Sequence, residues 1–202
     1  RSIVLTPRFS TDGREITYTE ISSGRVQVIL KHLMTGQQEV LETAEGTSTF
    51  SPRFSPDGRG IVYSLALNGN TDIYYMDLQT RARERLTMDN SAETSPSISP
   101  DGRRVAFESD RSGGQQIYVL DRNSGSVKRI SVQDRARYAT PVWSPNGEWI
   151  VTAGWDHKVF VWSVASGQQV TELKGHGAGV NAVDFSADSK QVATGSADLS
   201  AR

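Results

Sequence analysis

Residues 51–87, SPRFSPDGRGIVYSLALNGNTDIYYMDLQTRARERLT, decide the fold because the chain repeats them. TPRFSTDGREITY begins at Thr6, SPSISPDGRRVAF at Ser95 and TPVWSPNGEWIVT at Thr140; a looser relative, VDFSADSKQVAT, begins at Val183. The bulky residue of the phrase is Phe9, Phe54, Ile98, Trp143 and Phe185, at intervals of 45, 44, 45 and 42 residues. Self-similarity at a period in the forties, with strand-like content, marks a radial or stacked repeat.

Each unit predicts four short strands. In the type repeat the first covers residues 52–55, opened by a proline that need not donate to a ladder. Pro56-Asp57-Gly58 then turns the chain: Pro presets φ, Asp bonds its own backbone and Gly takes a positive φ. Residues 61–65, an apolar β-branched run, form the second strand. Residues 67–70 turn again. Residues 72–78 mix aromatic and β-branched side chains as a half-buried third strand, and 83–87 form a polar outer one. Four antiparallel strands at this period predict an all-β fold, a β-propeller blade, whose radial repetition leaves only short edges. A plain sandwich has no need to repeat its sequence. One propeller domain over 1–202 is expected, with blades at about 6–50, 51–94, 95–139 and 140–178 and a partial fifth at 179–202. Asp12-Gly13, Asp57-Gly58, Asp101-Gly102 and Asn146-Gly147 are its blade turns.

Composition is that of an ordinary globular chain: 202 residues, 36% hydrophobic, 22% charged, formal net charge −1. Near-zero charge argues against a nucleic-acid partner, which calls for a clustered basic face. Arg81, Arg83 and Arg85 alternate on the outer strand of the second unit, as a charged edge that resists sticking does. With no cysteine, disulfides, thiolate metal sites and cysteine nucleophiles are excluded. No apolar run approaches the roughly 18 residues of a membrane helix, so no membrane insertion is expected. The chain starts at Arg1-Ser2 without a signal-peptide pattern.

Nothing assembles into a catalytic, cofactor-binding or metal site. Asp12, Asp57 and Asp101 are carboxylates of different blades, each accounted for by its hairpin. His32, His157 and His176 fall in no HExxH or other clustered spacing. No calcium loop, phosphate loop or GxSxG elbow is present. Trp143, Trp149, Trp155 and Trp162 crowd into one blade, where packing accounts for most of them. No enzymatic activity and no cofactor are expected.

The phrases SPRFSPDGR, NTDIYYMDL, TSPSISPDGRRVAFESDRSGGQQIYVLD and RISVQDRARYATPVWSP resemble the TolB family of the bacterial Tol–Pal envelope system, over residues 1–145. The resemblance implies a periplasmic, non-enzymatic, six-bladed binding domain that contacts a lipoprotein and other envelope proteins. Such blades also resemble the propellers of prolyl oligopeptidases, whose hydrolase half has no counterpart in this sequence. From about residue 146 the style resembles the WD-repeat family instead. There a His, a Ser/Thr, an Asp and a Trp bond to one another and tie a blade together. That resemblance assigns His176, Thr194 or Ser196, and Asp198 to one such network, and Asp156 and Trp162 to the preceding one. Both are incomplete: the Trp of the last would lie beyond Arg202, and the His position of the other falls near Asp134.

The change of style, at 139–148, coincides with the shortened period. Two families joined inside one blade point to a recombined or engineered hybrid, a soluble scaffold whose property is its own folding and assembly. Blades contact mainly their neighbours, so such stacking is physically sound. The alternative is a natural module that engages a protein or peptide at the channel face; an enzyme or metal-dependent receptor is the weakest reading. By register residues 1–5 align with a connection ahead of a first strand. The last repeat supplies strands at 180–185 and 191–194 and the beginning of a third at 199–202. Either Ile3-Val4-Leu5 pairs with that partial blade, or identical chains complete one another as a homo-oligomer.

Overall fold

The computed structural model describes residues 2–41, 44–131 and 138–202. Among them the chain is all-β, with eighteen strands, β1 to β18, in antiparallel hairpin order. Four sheets have four strands and one has two, the blades of a β-propeller. The chain divides into two compact units, Arg1–Pro96 and Ser97–Arg202, and the division falls inside β9.

The first unit holds β1 (Ile3–Phe9), β2 (Glu15–Ser22), β3 (Arg25–His32) and β4 (Gln38–Val40), then β5 (Ser48–Phe54), β6 (Gly60–Leu67), β7 (Asn70–Asp77) and β8 (Arg83–Arg85). Ser23-Gly24 and Asn68-Gly69 take positive φ at both positions (52° and 77°; 53° and 82°) and close two-residue hairpins, Ser22 facing Arg25 and Leu67 facing Asn70. Such primed turns match the twist of the strands they join. Val28, Leu30 and Leu41 of the first blade pack against Ile61, Tyr63, Leu65 and Met76 of the second.

The next strands are β9 (Glu93–Ile98), β10 (Arg104–Ser109), β11 (Gln116–Asp121) and β12 (Val127–Arg129). β13 (Tyr138–Trp143), β14 (Trp149–Gly154), β15 (Val159–Ser163) and β16 (Gln169–Leu173) form the fourth sheet. β17 (Val180–Phe185) and β18 (Val192–Ser196) form the two-stranded one. In the second unit Ile117 and Ile130 share a buried cluster with Ile150, Phe160 and Trp162. Tyr138 meets Phe160 and Trp162 edge-on, both at 5.2 Å. Val151, Ala153 and Val159 make the next cluster with Val180 and Val183. Each fully buried aliphatic or aromatic side chain contributes roughly 1.5–3 kcal/mol.

A bulge recurs in the first strand of each blade. Thr6, Ser51, Ser95 and Thr140, each followed by proline, sit at φ 50°, 54°, 54° and 46°. The register slips there, between Leu5 and Arg8, Phe50 and Arg53, and Ala139 and Val142. A left-handed residue in a pairing strand is the mark of a β-bulge. The bulge amides are held by the blade before: Ser51 N–H donates to Thr19 Oγ1 (3.1 Å) and Thr140 N–H to Glu108 Oε1 (2.6 Å).

Two local expectations are corrected. Ile3, Val4 and Leu5 are not a connection or an outer strand for the last sheet; they belong to β1 and pair with Ile21, Glu20 and Thr19. The strand expected at 52–55 begins at Ser48, because the bulge lets pairing run on past Ser51. At 199–202 the expected beginning of a third strand is present: Gly195 bridges Ala201, and Thr194 exchanges backbone bonds with Arg202 at 2.8 and 3.0 Å.

Candidate functional site

Each blade turn is built by one serine. Ser10, Ser55, Ser99 and Ser144 donate to Asp12 (2.7 Å), Asp57 (2.6 Å), Asp101 (2.5 Å) and Asn146 (2.7 Å). The same oxygens accept the N–H of Glu15, Gly60, Arg104 and Trp149, each at 2.9 Å. Gly13, Gly58, Gly102 and Gly147 complete the turns at φ 70–73°. The fifth copy, Ser186 on Asp188 at 2.7 Å, has Ser189 at φ 62° in the glycine's place. The serine hydroxyl, foremost, and the N–H two residues on hold Asp12 and Asp188 below the usual carboxylate range; the serine also leads for Asp57 and Asp101. These carboxylates are spent on their own hairpins.

The loop from β16 and the end of β18 meet at His176. Its Nδ1 lies 2.9 Å from Asp198 Oδ2 and its Nε2 2.7 Å from Thr194 Oγ1. Gly177 N–H donates to the same carboxylate oxygen (2.8 Å), and Ser200 Oγ donates to Oδ1 (2.7 Å). Those bonds, the Ser200 hydroxyl first and the Gly177 N–H second, drive the Asp198 pKa far below its ordinary value. The carboxylate beside Nδ1 makes Nδ1–H a donor, and the Thr194 hydroxyl lies between His176 Nε2 and the Arg202 carbonyl, 3.4 Å away. Ser196 Oγ instead donates to the carbonyls of Ala178 and Gly179, both at 3.0 Å. In the blade before, the Trp162 indole donates to Thr152 Oγ1 (2.9 Å), and Asp156 stands in the turn between β14 and β15, against Gly154. The expected His position near Asp134 lies outside the described residues.

His32 accepts from Thr35 N–H in a tight turn, and His157 sits at φ 69° between β14 and β15. Among the described residues no three His, Asp or Glu side chains could hold a metal ion. Among the described residues no helix is long and apolar enough to cross a membrane.

Sequence reasoning missed what the outer arginines do. Arg85 pairs with buried Asp72 at 2.8 Å and donates to the Thr87 carbonyl at 3.0 Å, while Thr87 Oγ1 accepts Ile73 N–H. Arg129 repeats the pattern with Gln116 (2.9 Å), the Ser131 carbonyl (2.7 Å) and Ser131 Oγ under Ile117 N–H. The Asp72 hydrogen bond raises Arg85 above its ordinary pKa. Arg81 pairs with Glu39, and Arg83 lies over the Tyr74 ring at 5.6 Å. The arginines tie outer strands inward as well as charging the edge. The signal available was the recurrence of Arg two residues before a Ser/Thr in successive repeats.

A groove of about 780 Å³ opens in the second unit, lined by Trp149, Val161, Leu173, Phe185, Val192 and Arg202 among others. It lies between the fourth sheet and β17–β18.

The TolB beta propeller domain matches residues 1–174. The chain belongs to that family. A WD domain, G-beta repeat, matches 167–202, so the TolB-type match runs on past the change of style at 139–148. Among solved structures, TolB from Acinetobacter baumannii aligns at TM-score 0.83 and 31% identity, over 95% of this chain and 48% of that one. A putative TolB from Agrobacterium tumefaciens aligns at TM-score 0.71 and 25% identity, over 83% of this chain and 64% of that one. Protein MAK11 of Saccharomyces cerevisiae is 48% identical over 42 residues, 21% of this chain and 10% of its own length. The chain thus spans about half of the first TolB structure.

Proposed function

We propose that this TolB-family chain is a non-enzymatic protein-binding module that engages a polypeptide partner. The observation that carries the reading is where its polar chemistry goes. The turn carboxylates and the His176–Asp198 pair are consumed by hydrogen bonds within the fold, while the large concave surface left open is mainly apolar. Hot spots of protein interfaces are apolar and aromatic pockets of this kind. By family likeness the partner is an envelope lipoprotein, at the channel face of the blades; fold alone does not fix it. Surface plasmon resonance against the purified lipoprotein domain of a TolB-containing system tests this. Saturable binding supports the reading. A catalytic turnover in a hydrolase panel overturns it.

A second reading has its own observation. The TolB and WD matches overlap only at 167–174, which favours a recombined or engineered hybrid whose property is self-assembly as a homo-oligomer. Light scattering separates the two: a mass near 22.1 kDa opposes self-assembly, and an integral multiple supports it.

A further inference from the structure

We propose that the cavity between the third and fourth blades binds a short aliphatic carboxylate, a small monoanion with an apolar tail. The inference goes beyond the binding-module reading and does not rest on it. The cavity measures about 180 Å³, room for on the order of six waters or one molecule of a few carbons. Val119, Ile130, Ile150 and Val164 form its apolar wall, and Arg104 and Lys128 bring cations to it. Ile150 is fully buried, while Lys128 stands at the exposed rim. All of these residues belong to the second unit.

The first two blades show how the same place is otherwise filled. Ser55 Oγ accepts Gly60 N–H as Ser99 Oγ accepts Arg104 N–H, so Gly60 and Arg104 share one position of the repeat. Two residues on, Val62 pairs with Tyr75 and Ala106 with Val119. The Tyr75 ring lies across Gly60, so close that a Cβ there would meet it at 2.2 Å. Val119 has no ring to lay over Arg104, and the space stays open. The charges differ as well. Glu39, opposite Leu30, pairs with Arg81 in a turn of the next blade. Lys128, opposite Val119, holds the place of Glu39. Arg81 and Gly167 each donate N–H to the carbonyl four residues back, that of Asp77 and of Ser163, so Gly167 holds the place of Arg81. Lys128 Nζ lies 3.7 Å from where a Gly167 Cβ would stand. An acid tied to an arginine has become a lysine against a glycine. Among the described residues Lys128 has no acidic partner, and its counterion must come from outside the chain.

The charge balance sets the valence of the ligand. Arg104 lies over the Trp143 ring at 4.9 Å and faces Asp121 across β10–β11. Asp121 also lines the cavity, but its Oδ1 already accepts Asn123 N–H, Ser124 N–H and the Ser124 hydroxyl. Two cations against one carboxylate leave a single positive charge, which a monoanion neutralises and a dianion overshoots. A small-molecule site of this kind is an apolar concavity with a few polar groups that fix orientation.

The probe is 4-methylpentanoate, titrated into the intact, ¹⁵N-labelled chain and followed by amide chemical shifts. Saturable shifts at Val119, Lys128 and Gly167 are expected, with a Kd on the order of 1 mM for so small a ligand. 4-Methylpentanamide keeps the tail without the charge, and acetate the charge without the tail; each should bind about fivefold more weakly or worse. Lys128→Gln weakens binding about three- to fivefold, the worth of an exposed ion pair. Gly167→Glu supplies the carboxylate from within and abolishes binding with the circular dichroism spectrum unchanged; Arg81 stands at that turn position at φ 61°, so the turn accepts a side chain. Absence of saturable shifts at the cavity up to about 20 mM, or equal binding of the amide, overturns the proposal, and neither result needs a variant to fold. A peptide ending in leucine that binds the same residues more tightly than the free acid overturns the assignment to a small molecule.

Discussion

The second blade and the β17–β18 hairpin solve one problem differently. Both begin with a serine-capped turn, Ser55 on Asp57 and Ser186 on Asp188. The second blade then fastens its outermost strand to its third by the Asp72–Arg85 pair, with Thr87 closing the ladder. The hairpin fastens its entering loop to its last turn by His176, Asp198 and Thr194. The first device acts across strands already in register, so it reinforces a sheet. The second joins the loops on either side of two strands. What looks like one repeat is two fastening schemes on a common turn.

Removing the largest buried side chain tests how far stability resides in packing and not in either fastener. Trp162 is fully buried and bonded to Thr152; Trp162→Ala should lower unfolding stability by about 3–5 kcal/mol, measured by urea denaturation. Asp72→Ala comes next. Its carboxylate is buried but Arg85 is 40% exposed at the side chain, so solvent takes up part of the lost pair, and a loss of about 1–3 kcal/mol is expected. Addition of His176→Ala sharpens the contrast: amide exchange should quicken at least tenfold at Gly177 and leave Tyr74 and Tyr75 in β7 as they were. Exchange that quickens in both regions would erase the distinction between fasteners.

The pH effect is smaller. Asp57, Asp101 and Asp198 have folded pKa values below their ordinary ones, so the unfolded chain binds protons first. Their contribution is present above about pH 4 and is lost as pH falls from there through the folded values. Asn146 makes the same turn, with Ser144 on Oδ1 and Glu148 N–H returning to it, and cannot titrate in this range. Asp57→Asn with Asp101→Asn should flatten the decline between pH 5 and pH 3 and leave pH 7 stability nearly unchanged. A decline as steep as the parent's would place the acid sensitivity elsewhere. Smallest of all, Arg14→Ala removes an exposed 3.8 Å pair with Asp12; the thermal midpoint should not move.

The period and the turn chemistry were legible because both are local. A Ser-Pro-Asp-Gly string states its hairpin in four residues, and a strand of period two follows at a fixed distance. The same logic named His176, Thr194 and Asp198, which the fold brings within hydrogen-bonding distance. The Asp72–Arg85 pair was not legible: thirteen residues and a turn separate its partners, and alternating arginines on an outer strand serve equally as a charged edge. Nor was the bulge at Ser51 and Thr140. Its amide is held by an acceptor on the preceding blade, Thr19 or Glu108, some thirty residues away.

Those bulge amides imply an order of construction. Ser51 N–H finds its native acceptor once Thr19 is in place, and Thr140 N–H once Glu108 is. A chain emerging from the ribosome makes the acceptors first, and domains and their parts fold as they appear. The first and third blades therefore each offer the next a docking point for its opening strand. Translation in the native direction supplies the strands in the sequence in which they are wanted, and a permuted gene that begins within a blade would have to wait for its acceptor.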